Sequence, residues 1–145
     1  MNPIIVYATP NNGVIEIPLG HTCKCYVGLV AISIPNILRE DMDDNFHEIN
    51  ISCDQVDSSM ANRKRLLRRI CIQKNHDLYS THEFKTIVYF PVDSSDKKLT
   101  IRIKDEYGPI KLPTRIARKT NPQTVTITLN VIPKDVATDQ WIKYI

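Results

Sequence analysis

The sequence predicts an all-β fold, an antiparallel β-sandwich of jelly-roll-like type with about eight strands. Three observations carry this. Apolar and polar residues alternate with period two in several segments, most regularly at Lys98–Lys104 and Thr124–Ile132. Pro, Gly, Asn and Asp clusters punctuate those segments at irregular intervals. No segment carries a helical period of useful length, and no internal repeat is present.

The stretch Lys97–Pro113 sets the pattern. Leu99, Ile101 and Ile103 fall on one face and Lys98, Thr100, Arg102 and Lys104 on the other, as in a strand with one buried and one wet side. Asp105 to Pro109 supplies a tight reversal, because Gly108 tolerates positive φ and Pro109 fixes its own. Upstream, Ile4–Tyr7 and Val14–Ile17 flank the turn cluster Thr9–Gly13 and read as a hairpin. Thr22–Ile34 is the longest apolar run. Cys23, Cys25, Val27, Leu29 and Ala31 form one face and Tyr26, Val30, Ile32 and Ile34 the other, so its end reads as a strand covered on both sides. Gly28 within it marks a bulge or a close backbone approach, and Pro35 ends it. An acidic connection follows, with Asp41, Asp43 and Asp44. It does not fit a calcium loop, since Phe46 stands where an EF-hand needs glycine.

His47–Cys53 alternates again, placing His47, Ile49, Ile51 and Cys53 on one face. Arg63–Ile70 carries five cations in seven residues, from Arg63 to Arg69. It fits a helix by composition and a strand by alternation, with Leu66, Arg68, Ile70 and Ile72 opposing Leu67, Arg69, Cys71 and Gln73; a loop entering a strand is the preferred reading. His76–Glu83 reads as a polar connection and Phe84–Phe90 as a strand closed by Pro91. Arg115–Gln123 is a second basic loop, and Thr124–Ile132 turns Val125, Ile127, Leu129 and Val131 inward. Residues 1–134 thus form one β-sandwich domain, and 135–145 a C-terminal tail that docks on another surface through Trp141, Tyr144 and Ile145.

With 145 residues, 42% hydrophobic and 24% charged, the chain matches one folded domain with a proper core. A net charge of +3 is too mild to argue by itself for nucleic acid. No run approaches the ~18 apolar residues of a membrane span, and the N-terminus lacks the pattern of a secretory signal, so membrane insertion and secretion by signal peptide are not expected. The four cysteines, Cys23, Cys25, Cys53 and Cys71, lie in apolar strand-like runs and read as reduced core thiols; zinc is disfavoured because Cys23 and Cys25 are spaced by one residue and have no second pair. His21, His47, His76 and His82 have no partner at metal spacing. No phosphate loop, nucleophile elbow or His-Glu-x-x-His occurs, so no enzyme activity and no cofactor are expected. The candidate contact surface is basic: Arg63, Lys64, Arg65, Arg68, Arg69, Arg115, Arg118 and Lys119.

Three blocks carry a family resemblance. The first is Tyr26–Pro35, YVGLVAISIP. The second is Ile49–Val56, INISCDQV, followed by Leu66–Ile70, LLRRI. The third is Tyr89–Val92, YFPV, with Leu99–Gly108, LTIRIKDEYG. In this order they resemble predicted jelly-roll-like structural proteins of Maverick/Polinton elements and adintovirus-like viruses, over most of residues 14–132. The sequence departs from that pattern at Ser58–Arg65, SSMANRKR, and no functional residue is carried over. The resemblance implies a viral or virus-like structural protein, a capsid, penton or spike/attachment component, acting through self-assembly in the virion or inside the host cell. Its partners would be further copies of itself, with a trimer as one option, and other capsid proteins. The alternative is an intracellular β-sandwich binding module that contacts nucleic acid or an acidic protein through the basic loops.

Overall fold

The computed structural model describes residues 3–20, 23–36, 46–57, 65–73, 78–116 and 119–134. Among them none is helical. Twelve strands follow in order: β1 (Ile4–Ala8), β2 (Val14–Pro18), β3 (Cys23–Pro35), β4 (Phe46–Cys53), β5 (Leu66–Gln73), β6 (Tyr79–Glu83), β7 (Tyr89–Ser94), β8 (Lys98–Asp105), β9 (Gly108–Pro109), β10 (Arg115–Ile116), β11 (Lys119–Thr120) and β12 (Val125–Pro133). The first sheet runs β1-β12-β3-β6, with β7 also on β3; the second runs β2-β8-β4-β5, with β9 on β8; β10 and β11 form a separate ribbon.

Every pairing is antiparallel, and one set of them nests while β12–β3 and β8–β4 join the nested pairs side by side into the two sheets. β1 pairs β12, β2 pairs β8, β3 pairs β6 and β7, and β4 pairs β5. First meets last and the innermost strands meet each other. This is one long hairpin rolled over a core, the jelly-roll arrangement.

Alternation explains which side chains fill that core. Leu99, Ile101 and Ile103 of β8 are fully buried, as are Ile49, Ile51 and Cys53 of β4 and Val125, Ile127 and Leu129 of β12. Burying each of these aliphatic side chains contributes about 1.5–3 kcal/mol relative to exposure. The reversal after β8 is a hairpin, with Asp105 opposite Gly108, Gly108 at φ 124° and the Tyr107 amide donating to Asp105 Oδ1 at 2.8 Å.

Five expectations need correction. β1 and β2 are not a hairpin: they belong to different sheets, because Ile15 and Ile17 face the core from one side and Ile4, Val6 and Ala8 from the other. The reversal itself is tight, with Asn12 and Gly13 both left-handed and Asn11 and Val14 exchanging backbone hydrogen bonds, so the cluster makes a corner between sheets. In β3, partners step from Leu29 to Ala31 as β12 steps from Leu129 to Thr128. Val30 is thus a bulge residue that swaps the faces, turning Ile32 and Ile34 inward, and the strand is not covered on two sides by its own pattern. Residues 79–83 form β6 where a connection was expected. The strand expected at Phe84–Phe90 lies at Tyr89–Ser94 instead, with Pro91 inside it. Proline is accommodated because β7 lies at the flank of its sheet, where only a short turn, through Val56 opposite Val92, meets it. Finally, Cys25 and Cys53 are buried and in no disulfide, but Cys71 is exposed on the outside of β5.

Gly28 proves to be a close approach. A Cβ there would lie 2.6 Å from Ile87 Cγ2 and 2.9 Å from the Tyr89 ring. That ring crosses the glycine, and its hydroxyl accepts a hydrogen bond from the Asn130 side chain at 3.0 Å.

Candidate contact surfaces

The roll leaves two outer faces of opposite character. On the second sheet, outward positions are charged. Lys98 bonds Glu16 at 2.8 Å, and the hydrogen bond and charge of Glu16 raise the ammonium above its ordinary pKa. Arg102 Nε reaches both carboxylate oxygens of Asp54, at 2.8 and 3.0 Å, and this hydrogen-bonded ion pair raises the guanidinium pKa. Arg69 Nε donates to Glu48 at 3.0 Å and to Asn50 Oδ1 at 3.1 Å. These pairs are solvent-exposed and each stabilises by no more than about 1 kcal/mol.

The basic cluster is divided by a second bulge. Ser52 pairs Leu66 while Ile51 pairs Arg68, so Leu67 is the extra residue. Leu67 turns into the core with Ile70 and Ile72, while Leu66 shares the outer face with Arg69, so the expected faces, Leu66 with Arg68 and Leu67 with Arg69, exchange members at the bulge. Arg69 points outward. Arg68 lies on the core side at the sandwich edge, its guanidinium 4.2 Å from the centre of the Phe84 ring, donating to Thr86 O at 3.3 Å. Arg65, just before the bulge, is exposed and left-handed at φ 53°.

The sequence also grouped Arg115 and Lys119 with this cluster, and the topology separates them. Asp54 and Arg65 place this cluster near the start of β8, where the Asp54 amide donates to Thr100 O and the Cys53 amide to Arg65 O. Ribbon β10–β11 follows the hairpin at the far end of β8. An eight-residue strand places these regions on the order of 20 Å apart. Arg115 is exposed at its end of the sandwich, and Lys119 sits opposite Ile116 in the ribbon. Arg63, Lys64, Arg118, Trp141, Tyr144 and Ile145 lie outside the described residues.

One concavity of about 300 Å³ lies on this charged face, lined by Asn50, Ser52, Leu66, Arg69 and Lys104. Because Asn50 Oδ1 accepts from Arg69, its amide nitrogen is left as a donor beside the Ser52 hydroxyl and the Lys104 ammonium. The hollow is donor-rich. Its residues were invisible as a group in the sequence, although Asn50, Ser52 and Lys104 all occupy outward positions of predicted strands; only the register, Asn50 opposite Lys104, joins them. Gln55 was missed as well. Its Oε1 accepts from the Thr100 amide at 2.7 Å and its Nε2 donates to Asp96 at 3.0 Å and Thr100 Oγ1 at 3.2 Å, fastening the loop after β4 onto the start of β8.

Charge on the outer face of the first sheet gathers at its β7 end, where exposed Lys24 stands opposite exposed Asp93; the part next to β1 and β6 is nearly uncharged. Two cross-strand rows define it, Tyr7–Thr126–Ser33–Thr81 and Ile5–Thr128–Ala31–Glu83. Ile5 and Tyr7 are 51% and 71% exposed, while Ser33 and Thr81 bond through their hydroxyls at 3.0 Å. Glu83 is the single acidic or basic side chain charged at neutral pH in the two rows.

Compared with protein-family profiles, with curated proteins and with solved structures, the chain matched none.

Proposed function

We propose that this protein is a self-assembling structural component of virion type, a capsid, penton or spike-like subunit, whose copies meet through the first sheet. The observation that carries this reading is the uncharged outer surface around Ile5 and Tyr7, opposed to a second sheet whose outer face carries the ion pairs Lys98–Glu16, Arg102–Asp54 and Arg69–Glu48. Small side chains such as Ala31, Ser33, Thr126 and Thr128 let another surface approach closely, and two exposed large apolar side chains reward its desolvation. The jelly-roll strand order and the resemblance to Maverick/Polinton structural proteins point the same way.

Solution mass by light scattering over a concentration range tests the reading. The full chain is expected to assemble beyond a monomer, and the chain lacking Asp135–Ile145 reports whether the tail contributes to that contact. A monodisperse monomer at every concentration overturns the proposal.

A second reading rests on the donor-rich hollow at Asn50, Ser52, Arg69 and Lys104. It would receive a carboxylate or phosphate of an acidic partner, giving binding that weakens steeply with salt. Titration with duplex and single-stranded nucleic acid and with an acidic peptide, for the wild type and for Arg69→Glu with Lys104→Glu, tests it; binding unaffected by the charge reversal overturns it.

A further inference from the structure

We infer that β1 is the assembly strand, pairing antiparallel with β1 of a second copy about a twofold axis through Val6. Resting on the assembly reading above, the inference names its partner and its register. Two five-stranded first sheets would then join into one continuous ten-stranded sheet.

Among the described residues β1 pairs with β12 alone, so its other flank presents unmatched backbone groups. Such flanks invite another strand unless charge, proline or a bulge blunts them. The remaining flanks are blunted. β2 carries Glu16 and Pro18, β5 carries Arg68 and Arg69 next to its bulge, and β6 carries His82 and Glu83. β7 carries Pro91 and Asp93, with its free side met by Val56 and Asp57. β1 reads Ile-Ile-Val-Tyr-Ala, with no charge, no proline and no bulge against β12. It is the one unguarded flank of these five.

Register follows from parity. Residues directly opposite in an antiparallel pair share a face, and in β1 the exposed positions are Ile5 and Tyr7. Pairing about Val6 sets Ile5 against the partner's Tyr7 and Tyr7 against the partner's Ile5, two aliphatic–aromatic pairs on the exposed face. It also sets Ile4 against the partner's Ala8 on the core side. Shifting the axis by one residue leaves part of Ile4–Ala8 unmatched and brings in Pro3 or Thr9. The centred register alone matches all five residues, and as an isologous contact it closes on itself.

The test uses the full chain in sedimentation equilibrium. Ile5→Lys with Tyr7→Lys places cations opposite cations; association is expected to weaken at least about tenfold. Both positions are exposed, so the melting temperature should hold. Ile5→Glu with Tyr7→Glu should weaken association likewise, and mixing the two variants should restore a heterodimer, since each lysine then faces a glutamate. Hydrogen exchange of the wild-type chain gives a measurement free of substitutions: β1 amides should be protected at high and not at low concentration. Assembly that persists in the lysine variant, or β1 amides indifferent to concentration while the protein assembles, overturns β1 as the contact and leaves the assembly reading standing. A wild-type monomer throughout overturns both.

Discussion

The Arg68 guanidinium sits 4.2 Å from the centre of the Phe84 ring, and the contact bridges the edges of the two sheets. Arg68 is on β5, at the flank of the second sheet, and Phe84 follows β6, at the flank of the first. A side chain that composition assigns to a solvated cation cluster thus fastens the sandwich shut along one side. Replacing Arg68 by Ala is expected to destabilise by about 1 kcal/mol, and a double-mutant cycle with Phe84→Leu should return a coupling of about 0.5–1 kcal/mol in urea unfolding. A coupling near zero would mean that the contact is geometric only.

His47 is 1% exposed, and neither ring nitrogen has a hydrogen-bond partner among the described residues. An unsatisfied buried polar group costs stability. His47→Leu is therefore expected to stabilise by about 1 kcal/mol, read from the urea midpoint at unchanged slope.

Gly28→Ala should destabilise by about 2 kcal/mol, because the added methyl meets Ile87 and the Tyr89 ring. Tyr89→Phe alone removes the hydroxyl that accepts from Asn130 and should cost about 1 kcal/mol without moving the ring. If Gly28→Ala is neutral, the ring does not press on this strand.

Burial lowers the His82 pKa below its ordinary 6.5. As pH falls the unfolded chain therefore takes up this proton first. The contribution of His82 is neutral above about pH 6.5, becomes increasingly unfavourable to folding below it, and levels off once the folded form is protonated too. Melting temperatures from about pH 8 to 5 should fall more steeply for the wild type than for His82→Gln, and parallel curves would exclude this source.

The parts of the fold legible in the sequence are those where one period runs unbroken. Alternation names Leu99, Ile101, Ile103, Val125, Ile127 and Leu129 of β8 and β12, all buried; it fails at the end of β12, where Ile132 rather than Val131 is buried, and at Thr100, which is buried on the face expected to be wet. Two bulges defeat that reading elsewhere. An extra residue at Val30 or Leu67 inverts the faces downstream, and nothing local marks it. β6 reads as a connection because its inward residues are Ser80 and His82; Ser80 is held by a 2.7 Å hydrogen bond to Asn36, a residue 44 positions away. The basic surface fails as a unit because neighbours along a strand face opposite ways: Arg68 turns toward Phe84 and Arg69 toward Glu48.

β3 is held on one side by β12 and on the other by β6 and β7 in succession. Across Cys25–Gly28 and Ala31–Ser33 it is laddered on both flanks, so the amides there are expected to exchange slowest, on unfolding of the whole domain. β1, with a single neighbour, can peel away at far lower free energy. The first sheet therefore combines its slowest-exchanging strand with a flank free to fray, two ribbons apart, and a second subunit laid on that flank would lend rigidity to the region that most lacks it.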